Sequence, residues 1–217
     1  MTFHAQKAAV CQGGHQAARN NRLRKAVQTP FALICGLFMA ASVSSANAAW
    51  DLQQLMQNLS QNKSGQATFV EKKYIAVLDK PVQSSGDLLY TAPDRLEKRT
   101  LKPKPESMLV NGNELVVERG RQKHRVQLQN YPELAAFIDS IRGTLAGDLK
   151  ALERNYQLSL EGTAERWTLQ LVPVGEKMRV VVQHIRISGI ADDVRSVEIT
   201  QADGDRSLMT IEKLTAP

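Results

Sequence analysis

Cysteine is almost missing. The 217-residue chain has two, Cys11 and Cys35, and both precede residue 49. Everything after them has no thiol, which excludes a disulfide framework, a Cys-ligated metal centre and a cysteine nucleophile there. Histidine is thin as well: His124 and His184 stand far apart, with no His-x-x-x-His or His-Glu pair, so no set of converging zinc ligands forms. No glycine-rich phosphate cradle is present. Ser85-Gly86 and Ser188-Gly189 lack the flanks of a nucleophile elbow. Asp203-Gly204-Asp205 lacks the late glutamate of a calcium loop and reads as a hairpin turn, and Asp192-Asp193 reads as solvated charge in another turn. No enzyme chemistry and no cofactor are expected. Aromatics are scarce at 5%, and after residue 48 they come down to Trp50, Trp167, Phe69, Phe137 and four tyrosines. Leu, Ile, Val and Met must therefore fill most inner positions.

An excess of charge is also missing once its location is considered. The chain carries +6, but residues 1–48 hold Lys7, Arg19, Arg22, Arg24 and Lys25 and no acid. Taking these five from 28 basic residues leaves 23 against 22 acidic ones, which excludes a nucleic-acid partner as the reason for the basic balance. Those residues form a leader. Arg19 to Lys25 is a positive n-region, and Thr29 to Val43 is an apolar run too short to span a bilayer comfortably. Ala46-Asn47-Ala48 is an A-x-A cleavage site. Ile34 is too bulky before Cys35 for a lipobox. Cleavage after Ala48 leaves residues 49–217, a single periplasmic domain of 169 residues without thiols to mis-oxidise.

What is present is period-two alternation. After a first helix capped by Asp51, with Leu52, Leu55, Met56 and Leu59 at helical spacing, strand-like runs begin at Gln66–Val77, Val82–Tyr90 and Arg95–Leu101. Ser107–Val110 and Glu114–Glu118 flank Asn111-Gly112, a strong type I′ hairpin signal. His124–Leu128 is a further strand. The period then changes: from Pro132, the residues Leu134, Phe137, Ile138, Ile141 and Leu145 fall on one helical stripe that Gly147 can end, and Asp148–Arg154 is a short second helix. Tyr156–Leu160, Trp167–Pro173, Met178–Gln183, Ile185–Ile190, Val194–Gln201 and Ser207–Leu214 return to strand. This gives about eleven short antiparallel strands with regular turns, the pattern of a sandwich or barrel. The apolar stripe has two readings. It is ordinary core packing, or it is a helix laid over the open side of a curved sheet whose concave face holds an aliphatic guest.

The order of these features resembles the periplasmic outer-membrane lipoprotein carrier (LolA-like) family. The resemblance rests on Gly86-Asp87-Leu88-Leu89-Tyr90-Thr91-Ala92-Pro93-Asp94-Arg95-Leu96 and on Ser107-Met108-Leu109-Val110-Asn111-Gly112-Asn113-Glu114-Leu115, between an N-terminal amphipathic helix and a block of C-terminal strands. It implies a mainly β fold, an incompletely closed antiparallel barrel with helices over its concave face and an apolar cavity for acyl chains. It also implies a monomer that carries acylated cargo, lipoprotein or lipid, from an inner-membrane donor to an outer-membrane acceptor. In that family an arginine precedes the proline of the turn between the second and third strands and bonds to the lid. Here Ala92 stands in that place and Leu96 where an aromatic is expected, so the latch is absent or relocated and the chain resembles a divergent branch.

The lining expected on this reading is Phe69, Leu88, Tyr90, Leu96, Leu109, Phe137, Ile138, Ile141, Leu145, Trp167 and Leu169. Arg95 is a candidate substitute latch, and Lys102 and Lys104 are candidate head-group contacts. A one-residue slip in any strand exchanges its faces. The competing class is a non-transport interaction module for envelope assembly, using sheet edges or the Lys102/Lys104 loop.

Overall fold

The first helix starts where its cap dictates. In the computed structural model, which describes residues 50–214, the Asp51 carboxylate accepts the Gln54 backbone N–H at 2.9 Å, opening α1 (Leu52–Leu59). Leu55, Met56 and Leu59 form its buried face. The expected export leader lies outside the described residues.

Six strands follow: β1 (Ser64–Tyr74), β2 (Val82–Thr91), β3 (Arg95–Lys102), β4 (Glu106–Asn111), β5 (Glu114–Arg119) and β6 (Gln122–Gln127). Leu128, expected to end a strand, instead opens a 3₁₀ turn over Leu128–Asn130 and is buried. Three helical segments come next or soon after: α2 (Pro132–Ala146), α3 (Leu149–Glu153) and, beyond two more strands, α4 (Glu176–Arg179). Pro132 suits the first turn of α2, and Gly147 at φ 68° ends it. A Cβ on Gly147 would lie 2.1 Å from the Met56 carbonyl oxygen, so the same glycine that stops α2 lets it approach α1. The remaining strands are β7 (Tyr156–Gly162), β8 (Trp167–Pro173), β9 (Val182–Ile190), β10 (Asp193–Gln201) and β11 (Arg206–Lys213).

One expected strand, Met178–Gln183, is not a strand at its start. The chain makes the short helix α4 there and enters β9 at Val182. Glu176 in the first turn and Lys177 and Arg179 in the last suit a helix dipole, and Met178 turns into the core. The β-branched run Val180–Val182 had masked that turn.

All eleven strands form one antiparallel sheet in the order β6-β5-β4-β3-β2-β1-β11-β10-β9-β8-β7. β6 and β7 are its two edges, so the sheet curves without closing. The first and last strands meet at its centre, where Phe69 faces Ile211 and Glu71 faces Met209. The register puts one set of side chains on a single face: Ala67 and Phe69 of β1, Leu88 of β2, Leu96 of β3, Val110 of β4 and Ile211 of β11. The helices lie over this face. At one end α1, α2 and α3 cover Leu169, Leu171, Ile185 and Ile187, all 0–1% exposed. At the other, Leu134 and Ile138 of α2 close on Val110, Leu115 and Leu128. Each fully buried aliphatic side chain contributes about 1.5–3 kcal/mol of transfer energy, so these two clusters supply most of the driving force. α2 joins them, with Phe137 touching both. Among the described residues no helix is long and apolar enough to cross a membrane.

Candidate functional site

Between the two clusters the central strands have no helix pressed on them. The reason lies in β1. Its inward positions begin with Gly65 and Ala67, the smallest side chains available, and a Cβ added at Gly65 would meet no heavy atom within 4 Å. The space left is a partly open cavity of about 700 Å³ between the concave face and the underside of α2. That volume lies within the usual range of ligand sites, roughly 300–1,000 Å³. Its walls are mostly aliphatic.

Seven of the expected residues line it. Leu88, Tyr90 and Leu96 come from the sheet, and Phe137, Ile138, Ile141 and Leu145 from α2. Four do not. Leu109 pairs with Glu97 and Val116 on the opposite face, and its neighbours Met108 and Val110 take the place expected for it. This is a one-residue slip, in a strand where three consecutive apolar residues conceal the period. Trp167 and Leu169 are on the concave face but lie under the helices, 1% and 0% exposed, as core. Phe69 is also on that face, with the Lys98 ammonium 4.9 Å from its ring centroid, and does not line the cavity. Residues that the expectation missed come from the far side of β1: Met209 and Ile211, Val197 and Ile199, and Ile187. Their alternation was visible in the sequence. Their place beside β1 was not, because it depends on the pairing of the first strand with the last.

The polar candidates moved further. Arg95 sits opposite Thr91 with its guanidinium 3.8 Å from Glu97 and half-exposed, so it does not reach α2. Lys102 and Lys104 are exposed and do not line the cavity. The helix is fastened by its own residues instead. Arg142 donates to the Gly112 carbonyl of the β4–β5 turn at 2.6 Å and pairs with Asp139. Tyr156 donates to the Ala136 carbonyl at 3.1 Å. Burial pushes the Tyr156 phenol up to about 12, against a lowering hydrogen bond with Ser140 and with a lesser push from Asp139, so it stays a donor at any physiological pH. Tyr90 lines the cavity, and its hydroxyl is buried without a hydrogen-bond partner among the described residues.

One end of the cavity is charged. Glu71, on the inward face of β1, has its side chain 7% exposed. Lys98 donates to its Oε2 at 2.5 Å, Ser207 to its Oε1 at 2.7 Å and Ser84 to Oε2 at 3.4 Å. The Lys73 ammonium is 3.9 Å from Oε1. Burial pushes the Glu71 carboxyl upward, but the bond and charge of Lys98, the Ser207 hydroxyl and the Lys73 charge together outweigh it and hold it below the ordinary carboxylate value. A depressed folded-state value means stability that is present above the unfolded-state value and lost as pH falls through the folded one. Glu71→Gln is therefore expected to lower stability at about pH 7 by about 1.5–3 kcal/mol, the worth of hydrogen bonds to a charged group. The gap from wild type should close as the pH falls from about 7 through the depressed folded-state value. Paired thermal-unfolding curves across that range check it; a gap independent of pH would show that the charge on Glu71 contributes nothing.

A family model described as outer membrane lipoprotein carrier protein LolA-like matches residues 43–212. Among solved structures, the chain is similar to a LolA superfamily protein from Nitrosomonas europaea, with 11% identity, 78% of this chain and 96% of that one covered, and a TM-score of 0.40. It is similar to a chain of the MucA/MucB complex of Pseudomonas aeruginosa, with 13% identity, 77% of this chain and 59% of that one covered, and a TM-score of 0.45. It is also similar to LprF from Mycobacterium bovis, with 13% identity, 76% and 93% covered, and a TM-score of 0.33. No curated protein matches.

Proposed function

Because this chain belongs to the outer membrane lipoprotein carrier LolA-like family, we propose that it binds the acyl chains of a lipoprotein or lipid in its cavity and shuttles them across the periplasm towards the outer membrane. In this reading residues 1–48 are the export signal, residues 49–217 the carrier, and the partners are an inner-membrane donor and an outer-membrane acceptor. The observation that carries it is the aliphatic hollow of about 700 Å³ between β1 and α2.

The energetics define what such a carrier must do. Burying one methylene is worth about 0.8 kcal/mol, so a sixteen-carbon chain has roughly 12 kcal/mol of gross transfer energy. The hollow must recover a large part of that, and release requires a second arrangement in which it recovers less. α2 is the element suited to change. It forms the roof, and polar contacts that water can replace, Arg142 to Gly112 and Tyr156 to Ala136, fasten it along with its apolar face. Entry and exit of the chain then follow the lifting of α2 from the central strands.

The test is extraction of lipid from the protein purified under native conditions, followed by mass spectrometry, and displacement of a fluorescent acyl probe from the delipidated protein. The expected result is a saturable acyl site with about one probe per chain. Neither co-purified lipid nor probe binding would refute the reading, and capture of a protein partner independently of lipid would favour an assembly role instead.

A further inference from the structure

An apolar hollow alone does not explain the charges on its wall. Glu71, Lys98, Lys73 and Ser207 all belong to the lining. A charge on the wall of an oily cavity has a desolvation cost, so it is retained where it has partners. Glu71 has them: its Oε2 accepts from Lys98 and Ser84 and its Oε1 from Ser207. Among the described residues Lys98 does not have a full set. Its ammonium has three donors, of which Glu71 takes one. The face of Phe69 at 4.9 Å holds the cation in place without using another donor. Its side chain is three-quarters buried. The balance here is also positive: Lys98 and Lys73 stand beside one carboxylate within 4 Å. Of the other charged lining residues, Glu133 is on α2, Glu97 pairs with Arg95 and Arg99, and Asp193 pairs with Lys213 and Arg195, so the positive balance is local to the group around Glu71.

We propose that this end of the hollow is a head-group site for an oxyanion, with Lys98 as the principal donor and Lys73 as the second cation, so that the preferred cargo is an acyl chain bearing a carboxylate or phosphate close to its polar end. The inference rests on the acyl-binding reading above and narrows it to a ligand class. Glu71 is the positioning residue: it fixes the Lys98 ammonium at the wall and takes no part in contacting the ligand, because its own acceptors are used. The aliphatic tail runs from there over Ala67 and Leu88 beneath α2.

Three sixteen-carbon ligands separate the possibilities: palmitate, hexadecyl phosphate and hexadecanol, each competing against a fluorescent acyl probe on the delipidated full-length protein. The expected result is at least a fivefold preference for one or both anions over the alcohol, and the stronger of the two identifies carboxylate or phosphate as the head. Lys98→Met should collapse that ratio to below twofold. Since Lys98→Met leaves the Glu71 charge buried with its main partner gone, the double variant Glu71→Gln/Lys98→Met removes both charges together and should lose the preference in the same way. Equal binding of all three by the wild type, or a preference that survives in the folded double variant, overturns the head-group site while leaving acyl binding standing. Binding of none of them overturns both.

Discussion

Gly65→Trp is expected to reduce acyl affinity by about two orders of magnitude with the fold intact. Gly65 is the first inward position of β1, the central strand, its φ is not left-handed, and a Cβ there has open space around it. A larger side chain therefore grows into the hollow without displacing protein. An indole that takes the room of about four methylenes removes about 3 kcal/mol of transfer energy. That is roughly a 200-fold loss of affinity at about 1.4 kcal/mol per decade. The tryptophan should also leave unfolding unchanged or raise its midpoint, because it fills space with apolar contact. Val70→Trp is the control. Val70 is on the opposite face of the same strand and 41% exposed, so it should bind the probe as the wild type does. Probe displacement and thermal unfolding of both variants decide the matter. Full binding by Gly65→Trp would mean that the chain does not enter between β1 and α2.

Trp167→Ala has the largest expected effect on stability. The indole lies over Gly189, its partner across the β8–β9 pair, so closely that a Cβ there would be 2.2 Å from its Cζ2. Its Nε1 donates to the Ala191 carbonyl at 2.8 Å, tying the β9–β10 turn, where Ala191 itself has a φ of 51°. Truncation empties a site that is 1% exposed and costs roughly 3–5 kcal/mol. For a domain of this size that lowers the melting midpoint by roughly 6–20 °C, at about 2–4 °C per kcal/mol. Trp167→Phe keeps most of the ring but not the donor, and should lose about 1–2 kcal/mol. Calorimetry on the pair separates packing from hydrogen bonding. Equal losses would assign the effect to the turn, and small losses in both would mean that the α1 cluster repacks.

The elements most legible in the sequence were those with a local cause. Asp51 capped α1 as expected and Gly147 ended α2; the hairpin expected at Asn111-Gly112 formed, but Asn111 pairs with Glu114, so its loop is Gly112-Asn113, and with only Gly112 at positive φ (55°) it is not the type I′ turn expected. The site was half legible for reasons equally physical. Along α2 the apolar stripe named the roof correctly, since helical spacing fixes which residues share a face. On the sheet, Leu88 and Tyr90 were placed although Leu89 between them is also apolar, and Leu109 was misplaced in a run of the same kind, Met108-Leu109-Val110, because a run apolar on both faces does not select its own face. Trp167 was misassigned to the cavity because periodicity identifies the concave face but not which part of it the helices cover. Gly65 and Ala67 were in plain view, but their smallness has meaning only in a central strand, and the pairing of β1 with β11 is not a local property. Lys98 and Glu71 are 27 residues apart, and as isolated letters they look like solvated charge.

The meeting of β1 with β11 also has a temporal side. A chain synthesised from its N-terminus delivers β1 early and its partner last, so half of the hollow's floor does not exist until nearly all of the polypeptide has emerged. Contacts between such distant segments form slowly. Until then β1 presents an unsatisfied backbone edge, a hazard for wrong pairing. The vessel is thus assembled by its final stave, and its floor is whole only once β11 has paired with β1.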